Sequence, residues 1–157
     1  MAYAGFWKRF AAYLIDSIIL GVVSWIIILP ILGAIGLGMG SMDYSEEMIT
    51  DEDAAAGLAA MMVGGMMMLW VVIAVAAWLY FALMESSSKQ ATLGKMALGI
   101  IVTDMNGNRL TFGRATGRYF GKILSGMILM IGYIMAAFTE KKQALHDMIA
   151  GCLVVNK

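Results

Sequence analysis

The sequence predicts an all-α membrane protein, a small helical bundle that carries a small cytoplasmic β-element. Of its 157 residues, 61% are hydrophobic and 14% are charged, whereas soluble domains average about 45–50% apolar and 25% charged residues. Two nearly unbroken apolar stretches are each long enough to cross a bilayer, and a polar segment with turn residues follows the second. We therefore expect one membrane domain over residues 1–157.

The first apolar stretch covers residues 10–38 and follows the basic pair Lys8 and Arg9. About 20 apolar residues cross a hydrocarbon core of about 30 Å, so this stretch predicts an uncleaved membrane span rather than a signal peptide. One acid, Asp16, interrupts it. A charge at membrane depth costs at least about 2.5 kcal/mol. We therefore expect Asp16 to be protonated, functional, or paired with an arginine or lysine of the same protein.

The second apolar stretch, residues 54–84, predicts a second full span that forms a hairpin with the first. The loop between them carries six of the eleven acids and no base: Asp43, Glu46, Glu47, Asp51, Glu52 and Asp53. Bases lie before the first span and, as Lys89 and Lys95, after the second, so the positive-inside rule predicts a cytoplasmic N-terminus and an external loop. Its last acids are expected to cap the second span, with loose collection of external cations as the alternative.

The polar segment after the second span predicts a short helix over residues 89–98 and then a β-hairpin over residues 98–113. Asn106 and Gly107 form the strongest short hairpin signal, because a type I′ turn needs two residues that tolerate positive φ. The sequence CLVV after Gly151 is a candidate third strand, pairing with residues 100–103 to complete a three-stranded element.

A third hydrophobic region, residues 114–138, leaves two alternatives open. Arg114, Arg118 and Lys122 recur every four residues, which places them on one helix face. Only residues 123–138 are free of charge, which is short for a span. Either the region crosses fully with its charges facing protein, or it is re-entrant and returns the C-terminus to the cytoplasm. We favour the re-entrant arrangement.

Three segments resemble the RDD family of membrane proteins: the start AGFWKRFAAYLID, the middle ATLGKMALGI with VTDMNGNRLTFGRA, and the end KKQALHDMIAGCLVV. The resemblance covers nearly the whole chain. The family is named for one arginine and two aspartates, which the resemblance assigns to Arg9, Asp16 and Asp147. It implies a small multi-pass protein of a prokaryotic cytoplasmic membrane, and some members are described as cation/proton antiporters.

The charged residues each allow a functional and a structural interpretation. Arg9 and Asp16 lie two helical turns apart on one face. Asp16 can be a protonatable or cation-binding carboxylate with Arg9 as its charge partner. The alternative is a static anchor bonded to Arg9 or to the face of Arg114, Arg118 and Lys122. His146 with Asp147 predicts a proton relay or, alternatively, a pair that caps a short helix.

No enzyme, metal site or cofactor is predicted, since the chain shows neither a nucleophile with its base nor a metal-ligand cluster. Gly94 and Lys95 lack the rest of a phosphate-binding loop, so Lys95 is expected to reach lipid headgroups. Methionines of the second span are interpreted as packing rather than copper ligands. The single cysteine, Cys152, cannot form an internal disulfide, and its apolar flanks predict an inert thiol.

Two functional hypotheses follow. The first is a small transporter or exporter component coupled to a proton or a monovalent cation such as Na⁺. It would act as a homo-oligomer, because two or three helices cannot enclose a solute path. The second is a non-transporting scaffold or accessory subunit in which the same charges are structural. Anionic lipid headgroups at the cytoplasmic face are the expected partner of the inner bases, and a net charge of zero gives no reason to expect nucleic acid.

Overall fold

A computed structural model describes residues 2–40, 52–128 and 131–157. The acids from Asp43 to Asp51 lie outside the described residues, so the expectation for that loop stays a prediction. The chain divides into two compact units, Leu20–Ala76 on the one hand and Met1–Ile19 with Ala77–Lys157 on the other. The candidate site lies in the second of these, which we name the charged unit.

Two long helices, α1 (Phe6–Gly40) and α2 (Glu52–Ser86), are each long and apolar enough to cross a membrane. The predicted stretches 10–38 and 54–84 lie inside them. In Leu20–Ala76 large apolar side chains are exposed, including Trp25, Ile26, Met67 and Trp70. A helix satisfies its own backbone hydrogen bonds, so such surfaces are stable in lipid, where an exposed apolar face carries no penalty. The chain is a membrane protein with at least two helices able to span.

The charged unit contains a two-stranded antiparallel sheet. Strand β1 (Ile100–Asp104) pairs with β2 (Cys152–Asn156), and Val102 lies opposite Val154. The predicted pairing of CLVV with residues 100–103 is confirmed. The N-terminus covers the other edge of β2, where Tyr3 forms a bridge with Val155. A small core lies on this sheet: Ala4, Ala12, Ile100, Val102, Leu110, Cys152 and Val154.

The predicted β-hairpin over residues 98–113 is wrong beyond its turn. A turn forms, since the Asp104 N–H donates to the Asn108 carbonyl at 2.8 Å and Gly107 has a φ of 86°, but Asn106 has no positive φ, so it is not the predicted type I′ turn. No second strand follows it among the described residues. Thr111 instead caps the next helix, its hydroxyl accepting from the Arg114 N–H at 3.4 Å. Too few residues lie between the turn and this cap to build a strand.

The short helix α3 (Leu93–Ala97) is confirmed but shorter than the predicted 89–98. Gln90 has a φ of 53°, which is incompatible with a right-handed helix. Its carbonyl accepts from the Val102 N–H at 2.7 Å, so this residue covers the free edge of β1 instead.

The third hydrophobic region forms two helices, α4 (Phe112–Met127) and α5 (Ile131–Phe138), whose axes differ by 103°. They are followed by a short helix, α6 (Leu145–Ile149), that leads into β2. Helix α5 packs back on α4, since the Tyr133 hydroxyl donates to the Lys122 carbonyl at 3.1 Å. Together the two helices are long and apolar enough to cross a membrane, and the bend makes them either one broken span or a re-entrant loop. Strand β1 precedes this region and β2 follows it, and the two strands are paired. Both ends of the region therefore lie on the same side of the membrane, which favours the re-entrant alternative.

The bend predicts different effects of alanine at two nearby glycines. A Cβ on Gly132 would lie 2.9 Å from the Ser125 Cα and 2.7 Å from its Cβ, whereas a Cβ on Gly126 meets nothing within 4 Å. We expect Gly132→Ala to lower the free energy of unfolding by about 1–3 kcal/mol through overpacking. Gly126→Ala should leave it unchanged or raise it by up to about 1 kcal/mol through helix propensity. Unfolding of the detergent-solubilised variants measures both, and equal effects would contradict the packing of α5 on α4.

Candidate functional site: a buried charge cluster

Asp147 is fully buried, and its donors are two arginines, a backbone N–H and the Cys152 thiol, whose Sγ lies 3.7 Å from Oδ1. Its carboxylate pairs with the Arg9 Nη1, accepts from the Arg118 Nε at 2.8 Å, and accepts from the Ala144 N–H at 3.1 Å. Asp147 lies in the first turn of α6, from which it reaches back to that N–H as a cap. Burial raises its pKa, but the positive charges around it, above all Arg118, outweigh burial and hold the pKa below its usual range.

Glu85, at the C-terminal end of α2, is the second buried carboxylate. It pairs with Lys95 and Arg118, whose Nη1 lies 2.6 Å away, and Lys122 lies 3.5 Å away. Sequence reasoning missed Glu85, because it is the first charge after a long apolar stretch and was interpreted as the end of the span. The basic face of Arg114, Arg118 and Lys122, for which Asp16 was the only acid considered, was the signal that could have found it.

Arg118 joins the two carboxylates and is itself 3% exposed. Its Nε donates to Asp147, while its Nη1 makes a close ionic contact with Glu85 that is not aligned as a hydrogen bond. We name these six residues the buried charge cluster: Arg9, Glu85, Lys95, Arg118, Lys122 and Asp147. Four bases thus share two acids. Removing one partner of a buried ion pair lowers the free energy of unfolding by about 3–5 kcal/mol.

Lys95 lies inside the protein, so the expectation that it reaches lipid headgroups is wrong. Its side chain is 8% exposed and pairs with Glu85. Burial, reinforced by the charge of Arg118, lowers the pKa of Lys95 to about 7 even though Glu85 opposes the shift. This ammonium therefore sits near the midpoint of its titration at neutral pH.

The predicted basic face of α4 is only partly buried. Lys122 is 15% exposed and its Nζ also lies 4.1 Å from the centre of the Phe81 ring, a cation–π contact. Arg114 is exposed in the first turn of the helix and lies outside the cluster. The prediction that these bases share one partner surface therefore holds for Arg118 and Lys122, which both contact Glu85. Arg114 lies one turn earlier in α4 and is exposed.

Asp16 is held by three neutral donors, and the expected arginine or lysine partner is wrong. The Thr92 hydroxyl donates to it at 2.6 Å, the Gly94 N–H at 2.8 Å and the Tyr80 hydroxyl at 2.9 Å. No salt bridge reaches it from any residue that the structure describes. Arg9 instead pairs with Asp147. Asp16 is thus a hydrogen-bond anchor that fastens the start of α3 to α1, and we name it the Asp16 anchor.

The anchor requires glycine at position 94. A Cβ there would lie 2.2 Å from the Ala12 carbonyl oxygen and 2.9 Å from the Asp16 Cγ. Both atoms belong to a helix or to a buried side chain that cannot withdraw, so only glycine allows this approach. Gly94 therefore has a structural role in the docking of α3 against α1. This docking places the next residue, Lys95, beside Glu85.

His146 packs against α4 rather than facing solvent. Its Nδ1 lies 3.3 Å from the Ser125 hydroxyl, and its Nε2 lies 3.5 Å from Asp147. Burial lowers the pKa of His146 to about 3 although Asp147 opposes the shift. The ring is neutral at physiological pH, so its contact with Asp147 is no ion pair there. This argues against a relay that needs His146 to protonate near neutrality.

A cavity of about 290 Å³ adjoins the cluster. Its lining combines charged groups with apolar and aromatic side chains: Phe6, Arg9, Phe10, Tyr13, Asp16, Phe81, Lys95, Arg118, Lys122, Tyr133, Ile134, Ala136, Ala144, His146 and Val154. The described residues contain no group of three or more His, Cys, Asp or Glu side chains able to hold a metal ion. Burial raises the pKa of the Cys152 thiol to about 12, so it stays protonated.

Membrane-length helices joined to a buried charge cluster define an integral membrane protein with a polar interior. The family model of the RDD family matches residues 3–151, and the chain belongs to that family. It is 42% identical over 154 residues to the uncharacterized protein YxaI of Bacillus subtilis strain 168, covering 98% of this chain and 97% of that protein. It is 32% identical over 164 residues to the uncharacterized membrane protein YteJ of the same organism, covering 99% and 82%. No solved structure matches the chain.

The Asp16 anchor predicts that asparagine replaces this acid while alanine does not. In Asp16→Asn the amide oxygen accepts from Gly94 and Tyr80, and the amide nitrogen donates to a Thr92 hydroxyl that turns round. Asp16→Ala leaves buried donors unpaired, at about 1–3 kcal/mol each. Thermal unfolding in detergent should place Asp16→Asn near the wild type and Asp16→Ala well below it. Equal losses would mean that the negative charge itself is needed.

His146 predicts a loss of stability in mild acid. Its pKa is about 3 in the folded protein against an ordinary 6.5, so between these values the unfolded chain binds one more proton. The free energy of unfolding should therefore fall as the pH falls, by up to about 1.4 kcal/mol per pH unit. Asp147 contributes its own loss only below its ordinary pKa of 3.8.

The matched variant is His146→Asn, whose amide can keep the contact with Ser125 but does not titrate. Unfolding measured from pH 7.5 to 4.5 should show a shallower slope for this variant than for the wild type. Identical slopes in the two proteins would refute a buried neutral His146.

Proposed function

We propose that the protein is a proton-coupled transporter component whose protonation site is Lys95 within the buried charge cluster. The single observation that carries the proposal is the position of Lys95, which lines the cavity and pairs with Glu85 while its pKa is about 7. A side chain that gains and loses a proton at physiological pH beside a solute-sized cavity is the minimum that coupling requires.

The groups that face Lys95 explain how its proton affects the cavity. Glu85 comes from α2, and Arg118 and Lys122 come from α4. When Lys95 is protonated, Glu85 is shared among three cations. When it is neutral, Glu85 has only Arg118 and Lys122, and the cavity loses one positive charge. Because an unbalanced buried charge is unfavourable, proton exchange favours the entry or exit of a second ion.

The proton fits this site better than Na⁺ as the coupling ion. Asp16 lines the cavity, but its two oxygens already accept three hydrogen bonds. A sodium ion at Asp16 would share those oxygens with their donors, and the bases of the cluster would repel it. The proposed coupling therefore moves from Asp16, where the sequence placed it, to Lys95.

Orientation and assembly belong to the same proposal. Lys8 and Arg9 near the start of α1 and Lys89 after α2 support a cytoplasmic N-terminus, and the pairing of β1 with β2 supports the same side for the C-terminus. Two spans with one re-entrant region do not enclose a path, so the working form is proposed to be a homo-oligomer in a prokaryotic cytoplasmic membrane. The exposed apolar side chains of Leu20–Ala76 suit contact with lipid or with a second copy.

The proposal is tested by proton movement in proteoliposomes that contain a pH-sensitive dye. Gradients of NaCl, KCl and sodium benzoate are imposed in turn, and one of them should change the internal pH faster than it does in empty liposomes, which neutral benzoic acid crosses without a protein. The rate should change with pH with a midpoint near 7. Lys95→Gln should remove that dependence between pH 6 and 8, while Lys89→Gln, at an exposed position after α2, should retain it.

Folded wild-type protein that moves no protons under any of these gradients would contradict the proposal. A Lys95→Gln variant with an unchanged pH profile would contradict the role of Lys95.

The second candidate function is a membrane scaffold or accessory subunit, and the Asp16 anchor favours it. Its three neutral donors satisfy this acid without any transported ion. Under this hypothesis Asp16→Ala and Lys95→Gln alter stability or assembly, and no flux exists to be lost. Size-exclusion chromatography of the variants alongside the flux assay separates the two functions.

A further inference from the structure

Glu85 is surrounded by more positive charge than it neutralises. Its Oε1 is shared by Lys95 and Lys122, and Arg118 approaches its other oxygen. Asp147 is fully engaged by Arg9, Arg118 and a backbone N–H. Even with Asp16 included, the four bases of the cluster face three buried acids, so the interior retains one positive charge when Lys95 is protonated.

Some of these bases have donors to spare where they line the cavity. Within the part of the chain that the structure describes, the Lys122 ammonium contacts only Glu85, at 3.5 Å, and the Phe81 ring, although an ammonium can donate three hydrogen bonds. The Arg118 Nη1 is buried and has no aligned hydrogen-bond partner among the described residues. Both side chains belong to the lining.

The rest of the lining is apolar. Phe6, Phe10, Phe81 and Tyr133 contribute rings, and Ile134 and Val154 contribute aliphatic surface. The cavity volume is about 290 Å³, close to the lower limit of the range of about 300–1,000 Å³ that is usual for ligand pockets. A ligand that fills it therefore needs one anionic end and one compact apolar end.

We propose that this cavity is a binding site for a monovalent organic anion, a carboxylate or phosphodiester group attached to an apolar body, whose charge is received by Lys122, Lys95 and Arg118. This inference rests on the proposed function, for which it names the class of substrate. Cationic side chains of this kind make charge-assisted hydrogen bonds to carboxylate and phosphate oxygens. The aromatic rings shield them from water, which strengthens each contact.

Binding of the anion should be linked to a proton. One negative charge balances the single excess positive charge of the interior only while Lys95 is protonated. Glu85, Arg118 and Lys122 face Lys95, and Asp16 lines the same cavity. Because a bound anion adds a negative charge near Lys95, it stabilises the protonated form of this side chain. The affinity of the protein for the anion should therefore fall as the pH rises above 7.

The experiment uses the full-length protein in neutral detergent with benzoate as the soluble probe. Isothermal titration in two buffers of different ionisation enthalpy gives both the affinity and the number of protons taken up. We expect binding at pH 6.5 with uptake of a fraction of one proton, and weaker binding at pH 8.5. Lys122→Gln should weaken binding about tenfold, equivalent to about 1.4 kcal/mol. Lys122→Arg should restore most of it.

Arg114→Gln is the matched control, since this base lies on the same helix but is exposed and outside the cluster. It should bind benzoate as the wild type does. A second arm places the protein in nanodiscs of phosphatidylcholine, with or without phosphatidylglycerol. If phosphatidylglycerol displaces benzoate in the wild type but not in Lys122→Gln, the anion is a lipid phosphate; if it does not, the ligand is a soluble acid.

Folded wild-type protein that binds neither benzoate nor phosphatidylglycerol would overturn the inference, as would equal weakening by Lys122→Gln and Arg114→Gln. The outcome is separable from that of the proposed function. Benzoate binding without proton flux would leave a binding site in a protein that does not transport, whereas flux driven only by a sodium or potassium gradient would leave a transporter with a different substrate.

Discussion

Arg118 is the residue on which the charged unit depends. It is buried in α4 and contacts Glu85 at the end of α2 and Asp147 at the start of α6. Asp147 in turn pairs with Arg9 at the start of α1. One guanidinium thus connects elements that are far apart in the sequence, and the remaining bases gather around the carboxylates that it holds. A buried ion pair is weak evidence for stability by itself, so the excess of bases over acids calls for a functional explanation.

The Asp16 anchor is a second junction of a different kind. Neutral donors satisfy it, and the close approach of Gly94 to Ala12 fixes the start of α3 beside α1. That docking delivers Lys95, the next residue, to Glu85. The two aspartates that the family resemblance singles out therefore have separate tasks: Asp16 positions a loop by hydrogen bonds, and Asp147 receives the charges of Arg9 and Arg118.

Hydropathy was enough to predict the two long helices, because a membrane span needs only length and uniform apolarity. The pairing of β2 with residues 100–103 followed from two short apolar runs of matching length. The sequence indicated the turn at Asn106 and Gly107, but no strand follows it among the described residues. Thr111 caps a helix at the position where the second strand was predicted. Capping by one side chain decided between two locally reasonable structures.

The partners of the charges could not be predicted, for a physical reason. Seven-residue spacing places Arg9 and Asp16 on one helix face, but it says nothing about which groups from other helices reach each of them. Glu85 was hidden at the boundary of a span, where an acid usually faces water. The basic spacing in α4 indicated a shared partner surface, yet only burial distinguishes Arg118 and Lys122 from the exposed Arg114.

The most direct test of this account is a double-mutant cycle between Arg118 and Glu85, two residues that no sequence pattern connects. The free energy of unfolding is measured in mixed detergent micelles for the wild type, Arg118→Gln, Glu85→Gln and the double variant. Direct contact between two buried charges predicts a coupling energy of at least about 1 kcal/mol, with the double variant more stable than the sum of the single losses implies. Additive losses would contradict the bridge between the two carboxylates, and with it the charge balance on which the proposed anion site depends.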